Sequence, residues 1–437
     1  MAVYSNFAPK INCQQALEVT IQALTSSGEG VARLADGRVV FVSGALPGDR
    51  VLAHVQQRKK NLLLGTLGKL LQSSPQRVAS HCGREGCGGC VLRDFHLTAQ
   101  RQAKRQRIVD AFQRIAGINV AEQLADVHGA GEGWRYRHRV RLHAAWHERG
   151  FALGYYAPRS HRLVSLQSCP VLWPELEGVA VALARLVSDL PRVFGVETIE
   201  VAYSRRDQRA AASVQSSGSC QDWRGVWRRW ESTGLAGVQI RCKDGEIRHG
   251  NLELRYDHAE ASEYDLAFEP GVFTQANPSV NNLLMQRVVE LVRPRQQPRV
   301  VEFHAGIGNF SIPLARRGAQ VVAVEASPRA AVLLGRNARA SGLTIPVHKI
   351  ADSQASSLAA EADLVLLDPP RLGALDLVRD LAVTKPPRII YVSCDPATLA
   401  RDACELLQAG YRVTDLWAGD MFGQTPHVET IAAFERS

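Results

Sequence analysis

From about residue 270 onward, short apolar runs alternate with amphipathic stretches, and this constrains the fold more than any other feature of the 437-residue chain. Val300-Val-Glu-Phe303, Val321-Val-Ala-Val324, Leu364-Val-Leu-Leu367 and Arg388-Ile-Ile-Tyr-Val-Ser393 read as buried strands. Strands separated by helices specify a parallel sheet covered on both faces, because each parallel connection must cross over the sheet. The expected class is therefore α/β. The ligand crevice of such a sheet lies beyond the carboxyl ends of its strands.

The residues at those ends are chemically informative. Cys394 follows the strand Arg388–Ser393, and Asp395-Pro396 then breaks the strand and opens a helix from about Ala397. A thiol beside a helix N-terminus is expected to gain thiolate character and to act as a nucleophile. The alternative is an inert buried cysteine. Gly306-Ile-Gly308 follows the first strand but is shorter than a dinucleotide fingerprint, and no Walker lysine follows, which disfavours ATP. Glu302 before the loop and Glu325 after the next strand suit the ribose hydroxyls of a nucleoside. That leaves NAD or S-adenosylmethionine, and Asp368-Pro-Pro370 at the end of a later strand favours the methyl donor. Glu429 stands near the start of the final strand, where it can serve as a base.

The N-terminal half is built differently. Residues 17 to about 74 read as five short strands with turns at Gly28, Asp36-Gly37 and Pro47-Gly48. Leu17–Leu24 is expected as one alternating strand. The pattern predicts an OB-like barrel, a common oligonucleotide binder, with Arg58-Lys-Lys60 exposed on it. Cys82, Cys87 and Cys90 follow in a glycine-rich loop whose spacing suits metal or iron–sulfur ligation, zinc included. Cys169, in a turn and followed by proline, is the expected fourth ligand. A basic helix is predicted over about 98–115, with a solvated face as the ordinary reading of its charges. Another helix is predicted over about 174–190. Trp134 to Leu142 is predicted as an extended strand presenting Arg135, Arg137, Arg139 and Arg141 on one face, an arrangement that phosphates would neutralise. The domain expectation is a barrel over 14–74, a central α+β domain over 75–265 and a catalytic domain over 266–437, with the helix at about 97–117 a candidate to pack on the last.

Lys plus Arg outnumber Asp plus Glu by 52 to 43, giving a net charge of +9 that suits a polyanionic partner. No apolar run reaches membrane-spanning length. Nine cysteines with no export signal argue against stable disulfides, and a cytoplasmic, membrane-free, monomeric protein is expected.

Taken together, these motifs resemble the RNA uracil-C5 methyltransferases. The segments carrying the resemblance are Phe273-Thr-Gln-Ala-Asn277, Asp368-Pro-Pro-Arg371, Val392 to Asp402 and His427-Val-Glu429, in that order. Gly28-Glu-Gly-Val-Ala-Arg33 and Val42 to Asp49 are similar to a TRAM domain. The resemblance implies a Rossmann-like class I methyltransferase domain, with Cys394 as nucleophile and Glu429 as base. It implies Gln275, Asn309, Glu325 and Asp368 as S-adenosylmethionine contacts, with Asp352 as the adenine-side contact. His304, which stands where the family carries a ring against the donor, joins them. It implies that Cys82, Cys87, Cys90 and Cys169 hold a [4Fe-4S] cluster. The family loop usually reads Asp-Leu-Phe/Tyr-Cys-Gly, and here it is Glu302-Phe-His-Ala-Gly306. A TRAM domain together with the cysteine loop implies a uridine of 23S rRNA as substrate. The alternatives are methylation of tRNA and an RNA-binding protein without catalysis.

Overall fold

The computed structural model describes residues 16–147, 150–257, 264–293, 296–351 and 355–436. Asp352 lies outside the described residues. The chain divides into two compact units.

The first unit holds residues up to His81 together with Cys90–Ala103 and Gln424–Pro426. Its sheet contains β1 (Ala16–Thr20), β2 (Ala23–Leu24), β3 (Gly30–Arg33), β4 (Val39–Ser43), β5 (Arg50–Lys59) and β6 (Leu62–Gln72), in the order β1-β5-β6-β4-β3-β2. Alternation sets the inner face: Val40 and Val42, then Val51, Ala53 and Val55, are buried with Ile21 and Leu63. The single strand expected over Leu17–Leu24 is two. Ile21 turns aside to bond the Gly48-Asp49 turn, its N–H donating to Asp49 O at 2.9 Å while Gly48 N donates to Ile21 O at 2.9 Å. Asp49 anchors that turn, accepting from Leu46 N at 2.7 Å, Ser74 N at 2.9 Å and the Arg77 guanidinium at 2.5 Å. Arg58 and Lys59 are exposed at the end of β5.

The second unit holds Cys82–Gly89, Lys104–Gly423 and the residues from His427 on. After the two-residue β7 (Val127–His128) come β8 (Arg139–His147), β9 (Gly150–Tyr156), β10 (Leu163–Ser165), β11 (Val196–Ser204), β12 (Arg209–Ser216), β13 (Leu235–Cys242) and β14 (Gly245–Gly250). The last seven make one sheet, ordered β10-β9-β8-β11-β12-β13-β14. The expected strand over Trp134–Leu142 begins only at Arg139. Arg135 adopts a left-handed φ of 50°, and the N–H groups of Arg135, Tyr136 and Arg137 bond Pro170 O and Val171 O instead of a strand ladder. The alternation survives, with Tyr136, His138, Val140 and Leu142 buried. A face of four guanidinium groups does not form. Arg139 is turned in, donating to Val272 O at 3.2 Å and Thr274 Oγ1 at 3.4 Å.

The helix Leu97–Ala111 ends close to the expected boundary, and a further helical turn runs over Phe112–Ala116. Its charges are not all solvated. Lys104 is buried and pairs with Asp420, also donating to Phe422 O at 3.1 Å. The helix expected over about 174–190 is Pro174–Val187.

The hairpin-like pair β15 (Leu254–Arg255) and β16 (Ala267–Phe268) leads to the eight-stranded sheet. Its strands are β17 (Arg299–Phe303), β18 (Gln320–Val324), β19 (Val347–His348), β20 (Leu364–Leu367), β21 (Arg388–Ser393), β22 (Tyr411–Gly419) and β23 (Glu429–Arg436). The order is β19-β18-β17-β20-β21-β23-β22-β7, with β17 to β21 parallel and β23 antiparallel between β21 and β22. Each central strand feeds both cores by alternation: Val300, Leu364, Leu366, Ile390 and Val392 on one face, Val301, Phe303, Val365, Leu367, Ile389 and Tyr391 on the other. Chain direction across the sheet reverses between β17 and β20, and this switch point opens the ligand crevice. No helix among the described residues is long and apolar enough to cross a membrane.

Candidate active site

The β21–β23 ladder decides the central feature. Ser393 pairs with Thr430 at the end of the ladder, so Cys394, just past β21, comes beside Glu429, the first residue of β23. Gly419 flanks Glu429 on the other side. Because β23 is antiparallel, its first residue reaches the carboxyl end of its parallel neighbours. Glu429 is buried and Cys394 half-buried. Asp395 caps the following helix Pro396–Gln408, accepting from Ala397 N at 2.9 Å and Thr398 N at 3.2 Å. This is the strand-breaking, helix-opening role that its sequence position implied.

The expected thiolate does not follow. Burial, then the charges of Glu429, Asp368 and Asp395, push the Cys394 thiol up to about 11, with Arg371 pulling the other way. Three carboxylates near a partly desolvated sulfur outweigh one helix terminus. Glu429 is likewise raised well above the usual carboxyl range by burial and by Asp368. Asp368, directly after β20, is pushed up to about 7 by burial, against the pull of His304 and of a hydrogen bond with the Gln275 side chain.

Beside this group lies a narrow cavity of about 30 Å³, partly open to solvent, walled by Gln275, Glu302, His304, Asn309, Phe310 and Asp368 among others. Gln275 is fixed through its own carbonyl, which accepts from Tyr256 Oη at 2.9 Å and lies 3.0 Å from His138 Nε2. Burial and Arg139 hold His138 down to about 3, so its ring is neutral. Asn309 makes a reciprocal amide pair with Asn281 at 2.8 and 3.1 Å. Glu325 bends back on the glycine loop, accepting from Gly306 N at 2.8 Å and Ser327 N at 2.7 Å. His304 sits in that loop at a left-handed φ of 59°. Glu302 is buried, bonded to Ser311 through one oxygen, and its Oε1 has no protein partner. Burial raises it to about 8.

Several lining residues were not anticipated. Tyr256 and Phe310 are ordinary core residues by sequence, and Phe273 is 63% exposed at the rim. Arg371 Nη2 lies 3.2 Å from His427 Nε2. Burial, then Arg371, Arg107, Lys104 and Arg137, lower His427 to about 4, so this side of the site is basic without it. Only the loop motifs around Asp368 and Glu429 hinted at these two.

The cysteine loop docks on the β9–β10 hairpin. Gly88 N donates to Tyr156 O at 3.0 Å, and Arg84 donates to Gln167 Oε1 at 2.6 Å and Ser165 O at 2.7 Å. A Cβ at Gly88 would stand 2.7 Å from Tyr156 O, so the approach requires glycine. Cys169 is buried beside Tyr155 Oη at 3.4 Å, and burial with the nearby Cys87 acts on its thiol.

Comparison with known proteins follows the same division. A TRAM domain model matches residues 14–67, and the tRNA (Uracil-5-)-methyltransferase model matches 255–343 and 347–437. The 23S rRNA (uracil(1939)-C(5))-methyltransferase RlmD of Aromatoleum aromaticum is 35% identical over 433 residues, covering 95% of this chain and 99% of that protein. The chain belongs to the RNA uracil-C5 methyltransferase family. The RlmD protein of Alkalilimnicola ehrlichii, 34% identical, covers 97% of this chain and 97% of its own. The Pyrococcus abyssi tRNA (uracil-54, C5)-methyltransferase, solved with S-adenosyl-L-homocysteine, matches the fold with a TM-score of 0.74 at 23% identity, over 96% of this chain and 100% of that one. The methyltransferase match takes in Gln275, His304, Asn309, Glu325, Asp368, Cys394 and Glu429.

Proposed function

We propose that this methyltransferase uses S-adenosylmethionine to methylate C5 of one uridine in 23S rRNA. The closeness of Cys394 to Glu429 beside the cavity carries the reading. C5 of uracil is a weak nucleophile. Addition of the Cys394 sulfur to C6 forms an S–C6 bond and moves electron density to C5. Once C5 has bonded the methyl carbon, Glu429 takes the C5 proton, and the C–H electron pair re-forms the C5–C6 double bond and expels the thiolate. Bound S-adenosylmethionine supplies the methyl group as an electrophilic sulfonium.

The cavity suits that donor chemically. Glu302 Oε1 offers an unused acceptor in its wall. Gln275, His304, Asn309, Glu325 and Asp368 surround or brace it, and the expected contact of Asp352 remains part of the proposal. Asp368 lines the cavity and acts on the Cys394 thiol, so it is placed to touch both donor and base. The uridine must leave its stack to reach the thiol. Arg371, Arg107 and Arg137 provide positive charge for the flanking phosphates.

Cys82, Cys87, Cys90 and Cys169 are proposed to hold the [4Fe-4S] cluster. Thiolates are the donors such a cluster takes, and the loop carrying Cys82 and Cys87 docks beside the turn that holds Cys169. Thiolate ligation would supply a cross-link between the cysteine loop and the β9–β10 hairpin, with no part in the methyl transfer. The 23S assignment rests on the RlmD relatives and on the pairing of a TRAM domain with this loop.

The test is methylation of total RNA by the anaerobically purified protein with labelled donor, read at nucleotide resolution. The expected result is 5-methyluridine at one 23S position, abolished by Cys394→Ala. Label in tRNA alone would overturn the substrate. Donor binding without transfer to either RNA, and without a covalent adduct on 5-fluorouracil RNA, would favour a non-catalytic RNA-binding protein.

A further inference from the structure

Two cysteines outside both the cysteine loop and the crevice come together with a carboxylate. Cys220 opens the short helix Cys220–Trp223, Cys242 ends β13, and Asp244 lies in the turn between β13 and β14. Their two sulfurs and a carboxylate oxygen all lie within 4.8 Å of one another. We propose that Cys220, Cys242 and Asp244 form a binding site for a soft divalent metal ion, zinc(II), that pins the β13–β14 hairpin to the segment before it.

Three observations carry this. The geometry is right: with Zn–S near 2.3 Å and Zn–O near 2.0–2.2 Å, tetrahedral ligand atoms stand roughly 3.5–3.8 Å apart, within the observed span. The donor set is right: two thiols with one carboxylate bind zinc well and leave a fourth position for water. The scaffold is already fixed without the ion. Asp244 Oδ1 accepts from Cys220 N at 2.8 Å, and Lys243 N donates to Gly218 O at 3.1 Å. Asp222 does not compete, because its carboxylate is committed to Ser219 N at 3.1 Å and Ser219 Oγ at 2.8 Å.

The location gives such a cross-link a purpose. β14 is the last strand of its sheet, and none of its residues is fully buried. Such an edge strand has little apolar anchorage and depends on its ladder, its turn and the Arg248–Glu269 ion pair at 2.7 Å. Metal ligation at the turn would close it at the open end, coupling metal binding to local order.

The experiment uses the full-length protein with its iron content intact, purified anaerobically and equilibrated with zinc(II) against a weak chelator. Zinc and iron are counted together in wild type and in Cys220→Ser/Cys242→Ser. The expected result is loss of about one zinc equivalent per chain in the double variant, with iron unchanged. Asp244→Asn should weaken zinc retention at least tenfold, the loss seen on disturbing even an outer-shell partner of a metal. Cobalt(II), read by its sulfur-to-metal charge-transfer absorption, reports thiolate ligation directly. Should the double variant not fold, Asp244→Asn with cobalt(II) decides alone. Equal zinc in wild type and double variant at equal iron would overturn the proposal. So would mass spectrometry finding the two cysteines joined as a disulfide in the anaerobic protein.

Discussion

Cys394, the residue just past β21, lies close enough to Glu429, the first residue of β23, for the carboxylate to act on its thiol, next to the Ser393–Thr430 pair that ends their ladder. Two strands whose contact fixes this register cannot slip without moving every alternate side chain to the wrong core. The sheet therefore places Glu429 and the last strand residue before Cys394. Burial and the charge of Glu429 raise the Cys394 thiol, while burial and Asp368 raise Glu429 itself.

Replacing Glu429 by Gln should release part of that effect. Glu429 stands directly after burial among the influences that raise Cys394 to about 11. Removing its charge lowers the thiol's pKa, so at a fixed pH near 9 the variant alkylates faster than wild type. Iodoacetamide trapping of Cys394 across pH would measure this. An unchanged alkylation profile would contradict the electrostatic account. Methyl transfer should be lost in the same variant, separating thiol reactivity from turnover.

Tyr391 braces the loop that follows Asp368. Its Oη donates to Asp402 Oδ2 at 2.6 Å and accepts from Ala374 N at 3.0 Å, both deep in the protein. Tyr391→Phe removes two hydrogen bonds, but Ala374 N–H still donates to Asp402 Oδ2 at 2.9 Å, so the cost is about 0.5–1.5 kcal/mol. Denaturant unfolding would register it as a lower midpoint with an unchanged slope.

The buried pair Lys104–Asp420 predicts a larger loss. Lys104→Met removes the cation and leaves Asp420 buried without its ionic partner, which costs about 3–5 kcal/mol. The double variant Lys104→Met/Asp420→Leu should recover much of it. Thermal unfolding of the three proteins is the measurement, and purely additive losses would argue against a coupled pair.

Asp49 predicts acid sensitivity in the N-terminal sheet. Burial opposes its ionisation, but hydrogen bonds from Arg77, Ser74 and Leu46 win and hold its pKa below the usual range. A depressed folded-state pKa contributes stability that is complete above the unfolded value near 3.9 and is lost as pH falls through the folded one. Hydrogen exchange over residues 46–74 of the full chain should stay slow to about pH 4 and accelerate below it. Asp49→Asn should show fast exchange already at neutral pH.

The residues along β17, β20 and β21 show how much of this was legible. Their apolar alternation named the strands, and the breaks at Gly306, Asp368 and Cys394 named the carboxyl ends. A chain with that pattern must bury both faces of a parallel sheet, so its crevice and the loop residues around it follow from local sequence alone. The expected strand from Trp134 failed for a reason no periodicity contains. Arg135 turned left-handed because Pro170 and Val171, distant in sequence, offered its neighbours' N–H groups better partners.

Sequence by itself determined the parallel strands of the catalytic sheet, the TRAM-like N-terminal segment and the family to which the chain belongs. Those are properties of short windows, where side-chain period and turn residues act. Only the tertiary structure decided that Cys394 is held as a thiol, that Lys104 is buried, that Arg139 is spent on backbone carbonyls and that Cys220 meets Cys242. Each of these depends on what packs against the group from elsewhere in the chain, because desolvation and neighbouring charge are set by three-dimensional surroundings and have no local period to betray them.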